Sequence, residues 1–432
     1  MRVAKAAPLT LAGITAFLLV AVAADSNRNV MRRVSVSSRG RQANGSSFGP
    51  ALSGDGRFVA FRSTASNLVP GDRNHLQDVF VRDRRTGTMT RISVADDGSE
   101  ANGKSGGAAI SADGQIVAFW SDASNLVPDD TYGKRDVFVR DRLARTTTRV
   151  NVSSTGLQAN APSRQPALSD DGAVVAFRSD ASNLIAQDTN GTGDIFVHDR
   201  RTGETTRVSL TSRGGQPNGR SRDPGLNANG RFVAFRSEAS NLVPHDRNGA
   251  GDIFVHDRKS GATTRASVDS RGRGAAGCGV TGCGCDPVLS ADGRFVAFWS
   301  SATNLVEADT NEAWDVFVHD RTLGRTTRVS VGPGGSEGGK SSGEPWLSGN
   351  GRFVAFASQA PLTLGDSNGD WDIFVHDRRT GFTTLETEGQ ARGMSTDPVL
   401  SRNGRYVAFY SFATRLVAGD TNQSADVFVV RR

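Results

Sequence analysis

Short apolar runs alternate with polar turns at a fixed spacing along this chain. Gly56-Arg57-Phe58-Val59-Ala60-Phe61 returns, lightly edited, seven times. The residue at Phe58 reappears as Ile116, Val174, Phe232, Phe295, Phe353 and Tyr406, at steps of 58, 58, 58, 63, 58 and 53 residues. A constant period of this length marks a repeat architecture. Within one period, Pro166-Ala167-Leu168-Ser169 is a short apolar run, and Asp171-Gly172 after it predicts a two-residue hairpin with both central residues at positive φ. Val174-Val175-Ala176-Phe177 is apolar at every position and so predicts a strand covered on both faces. A long polar loop leads to a third strand, Asp194-Ile195-Phe196-Val197-His198-Asp199. Thr205-Thr206-Arg207-Val208-Ser209 then alternates and is rich in β-branched residues, as an outer strand should be.

Four antiparallel strands of this kind, repeated, predict β-propeller blades. The last repeat stops at its third strand, Asp426-Val427-Phe428-Val429-Val430. The missing outer strand matches Arg32-Arg33-Val34-Ser35-Val36 at the other end of the chain. The expected fold is therefore all-β: a seven-bladed β-propeller of four-stranded antiparallel blades over residues 25–432, closed by its N-terminal strand. Residues 1–24 read as a signal peptide: Arg2 and Lys5 precede an apolar run from Leu9 to Val22, and Ala21-Val22-Ala23 offers a cleavage site. The expected location is periplasmic or extracellular, with no stable membrane span after cleavage.

Leu289-Ser290-Ala291-Asp292-Gly293-Arg294-Phe295-Val296-Ala297-Phe298, followed by Asp315-Val316-Phe317-Val318-His319-Asp320, resembles the WD40-like (PD40) repeat of TolB-type periplasmic propellers. The resemblance runs over essentially all of residues 30–432. It implies the fold, export and a tendency to bind proteins or small ligands. TolB itself carries an α/β domain and six blades, so this resemblance does not imply the TolB role.

The first and third turns of each blade are short, and the second loop and the link between blades are long. One face of the disc is thus expected to be smooth and the other elaborated, and long loops on a rigid scaffold are where function concentrates. The long loop of six blades carries Asp-x-Asn-x-x-x-Asp: Asp72, Asn74, Asp78; Asp188, Asn190, Asp194; Asp246, Asn248, Asp252; Asp309, Asn311, Asp315; Asp366, Asn368, Asp372; and Asp420, Asn422, Asp426. Blade two keeps Asp130 and Asp136 with Tyr132 between them. Two readings compete. The oxygens could hold calcium, or the Asp and Asn side chains could cap their own turns; the second is the commoner use of these residues.

Other candidates are Trp299, Trp314, Trp371 and Tyr410, expected at or near the elaborated face either as a docking surface or as plugs between blades. Asp223, Asp286, Glu344 and Asp397 each precede a proline at the expected channel mouth, in four blades only. His198, His256, His319 and His376 share one strand position and are expected to pair with the Asp that follows each. Cys278, Cys283 and Cys285 lie in a glycine-rich insertion where a local disulfide is expected, with one thiol left over.

Composition removes some classes. The formal net charge is +6, falling to +4 without Arg2 and Lys5. Arginines are spread over every repeat, so no basic stripe for nucleic acid is expected. Gly98–Ser105 and Gly334–Ser341 match the phosphate-loop string, but strands follow them where a phosphate loop opens a helix. No catalytic residue is identified. The expected function is a monomeric, non-enzymatic binding module for a protein or small ligand. The alternatives are a lyase or lactonase-like hydrolase working at the channel mouth, and a calcium-stabilised envelope protein.

Overall fold

The computed structural model describes residues 30–276, 286–387 and 392–432. Residues 1–24, expected to be a signal peptide, and the three cysteines lie outside the described residues. Seven four-stranded antiparallel sheets form a ring. Blade one comprises Ser47–Leu52, Phe58–Ser63, Asp78–Asp83 and Met89–Arg91 from the channel outward. Blade seven comprises Ser395–Leu400, Tyr406–Ser411 and Asp426–Arg431, completed by Met31–Arg33. Met31 pairs with Val430 and Arg33 with Phe428, so the chain's beginning closes the sheet begun by its end.

The recurring Gly-Arg-Phe-Val-Ala-Phe stretch is the seam between blades. Gly56 has φ 74°, and a Cβ there would lie 2.5 Å from the Tyr406 ring of the neighbouring blade. The same contact sets Gly114 against Phe58 and Gly404 against Phe353. The next residue, Arg57, reaches Asp83 with Nη2 at 2.7 Å; Arg231–Asp257, Arg294–Asp320 and Arg352–Asp377 repeat the pair. Val59, Ala60 and Phe61 are fully buried, because this strand has a sheet on either side.

The first turn differs from the two-residue hairpin expected. Asp55 accepts from the Ser53 hydroxyl at 2.7 Å and from the Arg57 amide at 2.9 Å, which holds a longer turn with only Gly56 at positive φ. The longer turn frees Gly54 to face the axis. There a closed ring of seven backbone hydrogen bonds runs Gly54 to Ala112, Ala112 to Asp170, Asp170 to Ala228, Ala228 to Ala291, Ala291 to Gly349, Gly349 to Arg402 and Arg402 back to Gly54, each amide donating to the next blade's carbonyl at 2.8–3.2 Å.

The histidines bond to threonine instead of aspartate. His198 Nδ1 lies 2.9 Å from Thr205 Oγ1, and that hydroxyl donates to Val152 O in the preceding blade. The following aspartates are engaged elsewhere, as Asp257 is by Arg231. Burial pushes all four histidine pKa values down, so the rings are neutral. Arg82 and Arg140 stand in this position in blades one and two and bond the preceding blade's carbonyls directly.

Candidate functional site

The channel narrows to a blind end. Asp170 of blade three and Arg402 of blade seven project from opposite sides of the backbone ring and form an ion pair across it. Above them, Leu52, Ile110, Leu168, Leu226, Leu289, Leu347 and Leu400 give each blade one aliphatic side chain in the lumen. The cavity holds about 380 Å³, enough for a small molecule. Trp346 stands beside it where the other blades place Ala, Gly or Val.

Higher up, the first strands of six blades break register, as between Arg222 and Gly225; the short first strand of blade five begins after this point, at Val288. The residue at this position is Gly49, Gly107, Gln165, Asp223, Asp286, Glu344 or Asp397, followed by proline in every blade but the second, where Ala108 follows. Left-handed backbone is cheap for glycine, but Gln165, Asp223, Glu344 and Asp397 adopt it with φ 55–57°. A bulge re-aims a side chain, and here Asp223, Asp286 and Asp397 are turned onto the lumen. Glu344 instead turns sideways, accepting from the Asp397 amide at 2.7 Å and from Thr396 Oγ1. Gln165 donates to Asp223.

The Asp223, Asp286 and Asp397 carboxyls line the cavity, Asp223 buried and Asp286 exposed to the lumen. Asp286 is pushed up to about 8 by desolvation and then by Asp223, Asp397 and Glu344. Asp397 is pushed up to about 7 by desolvation and by Glu344, with Arg62 opposing. Asp223 is also raised by burial, against its bond from Gln165 and the charges of Arg222, Arg236 and Arg178. The mouth is therefore divided: carboxyls that share protons near neutrality, and guanidinium groups of Arg62, Arg178 and Arg236 on the second strands. Tyr410, in the same second-strand position, is raised to about 12, first by burial and then by Asp397 and Glu344. It packs edge-on against Phe48 at 5.2 Å.

The tryptophans are half-buried at blade seams. Trp299 and Trp314 have ring centroids 4.7 Å apart. Trp299 also covers Gly343 of the next blade, and Trp371 packs on the core shared by blades six and seven. Sequence reasoning missed Arg62, Arg178, Arg236, Gln165, Trp346 and the Asp170–Arg402 bar. The available signal was that these positions differ between repeats whose neighbours do not.

The acidic loops form a second kind of site. In blade three, Asn190 accepts from its own loop at the Thr192 amide (3.1 Å) and donates to Asp194 Oδ2 at 2.9 Å. Asp194 Oδ1 accepts from Ser209 at 2.7 Å. Between the two aspartates stands Arg207 of the outer strand, with Nη1 3.0 Å from Asp188 and 3.1 Å from Asp194. Arg33, Arg91, Arg149, Arg265 and Arg328 occupy the corresponding place at Asp420/Asp426, Asp72/Asp78, Asp130/Asp136, Asp246/Asp252 and Asp309/Asp315. In blade five, Asp309, Asp315 and Glu337 carry oxygens within 4.8 Å of one another. Arg328 Nη1 lies among them, 2.5 Å from Glu337. Capping thus accounts for the asparagines, and in six blades a guanidinium sits where a cation would.

No protein-family model matches the chain, and no curated protein matches it in sequence. Among solved structures, an oligogalacturonate lyase in complex with manganese is similar with a TM-score of 0.55 at 11% identity, over 93% of this chain and 92% of that one. The β-propeller domain of the Trilobed protease from Pyrococcus furiosus has a TM-score of 0.52 at 11% identity, over 89% and 93%. TolB from Acinetobacter baumannii matches with a TM-score of 0.41 at 14% identity, over 82% and 76%. This chain is a β-propeller with TolB proteins among its structural neighbours. No helix among the described residues is long and apolar enough to cross a membrane.

Proposed function

We propose that this chain is an exported, non-enzymatic binding module that takes a small, positively charged organic ligand in its blind channel. One observation carries the reading: three carboxyls from blades four, five and seven converge on one lumen, where Asp223 and Asp397 both raise the pKa of Asp286, with Trp346 beside them. A cation relieves that repulsion, and an indole favours a cation near its face. The Asp170–Arg402 bar closes the far end, so the ligand enters from the long-loop face, past Tyr410 and the seam tryptophans. The test is calorimetry with a panel of small amines, quaternary ammonium ions and guanidines, repeated on Asp397→Asn. Saturable binding that weakens at least tenfold in the variant supports the reading. A folded protein that binds none of them overturns it.

A second reading is favoured by the carboxyls near 7 and 8, which suit proton transfer at neutral pH. The similar lyase acts on oligogalacturonate, by its name, and holds manganese. Incubating this protein with acidic oligosaccharides and manganese, and following the ultraviolet absorbance of an unsaturated product, separates the two readings.

A further inference from the structure

Blade six breaks the rule of the acidic loops. Its outer strand, Phe382–Leu385, ends in leucine where the others end in arginine: Leu385 pairs with Phe374 as Arg207 pairs with Phe196. The loop is otherwise retained. Asn368 accepts from the Asp370 amide at 2.7 Å and donates to Asp372 at 2.9 Å, as Asn190 does in blade three. Asp372 Oδ1 accepts from Thr387 at 2.6 Å. The two aspartates are therefore held as in the other blades, without the guanidinium.

Asp366 shows the consequence. It is 7% exposed, and both of its carboxylate oxygens are buried with no side-chain or ion-pair partner, the Asn368 amide alone bearing on the carboxylate. No other aspartate or glutamate among the described residues has both oxygens in that condition. Thr363 Oγ1, three residues earlier in the loop, is likewise buried and unpartnered, and the Asp366 amide bonds Thr363 O at 3.2 Å. Lys340 eases the charge of Asp366 from a distance but forms no ion pair with it among the described contacts. A buried carboxylate without a counter-charge is costly.

We infer that a hard divalent cation, calcium by its preference for carboxylate and hydroxyl oxygens, occupies the blade-six loop between Asp366 and Asp372 where the other blades hold an arginine. Asp366 offers two oxygens without a side-chain partner and Thr363 a third, Asp372 adds its carboxylate, and water completes the shell. The loops of the other blades carry their own cation and take none.

Chelated, dialysed protein should bind one calcium ion per chain by calorimetry, and its melting temperature should rise with added calcium. Leu385→Arg supplies the guanidinium that blade six lacks. In that variant, calcium binding should be lost, and the chelated protein should melt at or above the temperature of calcium-loaded wild type. Asp366→Asn, which removes the unpaired charge without adding bulk, should also lose the calcium response. Magnesium and manganese, titrated separately, test the choice of ion; tighter binding of either overturns calcium. No binding of any of the three to folded wild type, or binding undiminished in both variants, overturns the site.

Discussion

The rim and the lumen of this propeller obey different rules. At the rim the same contacts recur among the described residues: the first-turn glycine lies against a side chain of the neighbouring blade in all seven, arginine meets aspartate in four, and a histidine–threonine pair or an arginine reaches the preceding blade in six. In the lumen, one first-strand position changes around the circle, from Gly49, Gly107 and Gln165 to Asp223, Asp286, Glu344 and Asp397. Repetition at the rim follows from geometry, since seven equivalent seams need seven equivalent solutions. The lumen is shared by all blades at once, so each can supply a different group. Departure from the repeat, rather than the repeat, marks where chemistry is placed.

Removing the closure should break the rim most severely. Deletion of residues 30–37 takes away the outer strand of blade seven, the Arg33 contacts with Asp420 and Asp426 at 3.2 Å, and the Ser35 bond to Asp426 at 2.5 Å. It also bares a sheet edge. The cooperative thermal transition should be lost or fall by tens of degrees, as read by circular dichroism. An unchanged melt would mean that the ring closes by other contacts.

Next in size is the arginine of an acidic loop. Arg207→Met keeps the length of the side chain and leaves Asp188 and Asp194 buried together. Breaking one partner of a buried charge cluster costs about 3–5 kcal/mol, measurable by urea denaturation. The aspartates themselves are raised by desolvation, so part of the loss should return at acid pH as they protonate. A loss under about 1 kcal/mol would place this arginine with ordinary surface pairs.

Most of the fold was legible because a strand buried on both faces can be read from Val59-Ala60-Phe61 alone, and because the orphan third strand at Phe428 required a partner. The acidic loops were legible as oxygen-rich, yet their cation was not, since Arg207 lies 13 residues after Asp194 and reaches back only once the strands pair. The channel was half legible. The four acids before proline stood out, but which of them face the axis depends on local backbone, left-handed at Asp223, Glu344 and Asp397, that the sequence around them does not single out. Trp346 read as one tryptophan among five, because nothing local distinguishes a lumen position from a seam. The Asp170–Arg402 bar joins residues 232 positions apart and is visible only in the closed ring.

The lumen can be sharpened by pH. Asp397 has its folded pKa raised to about 7, above an unfolded value of about 3.9. The folded state therefore binds more protons between those values, and stability falls as pH rises through them. The slope from this one group is at most about 1.4 kcal/mol per pH unit. Asp397→Asn removes it. The variant should match wild type near pH 4 and exceed it increasingly up to pH 7, in melts across that range. A constant offset at every pH would remove Asp397 from the set of shifted carboxyls.

The smallest effect should come from making blade three resemble blades one and two. Gln165→Gly relieves left-handed backbone at φ 56°, worth about 1 kcal/mol. Glycine also frees the unfolded chain, which takes back about 0.5–1 kcal/mol. These terms nearly cancel, so what remains is the bond from Gln165 to Asp223. Asp223 Oδ2 already lacks a partner, and loss of the donor to Oδ1 leaves the charged form still less favoured, raising the pKa further. Because that shift is upward, its cost is absent at low pH and appears as pH rises. The variant should melt with wild type near pH 4 and slightly below it at pH 8. An equal difference at both values would show that the amide supports the backbone bulge and has no part in setting the charge of the acidic half of the lumen.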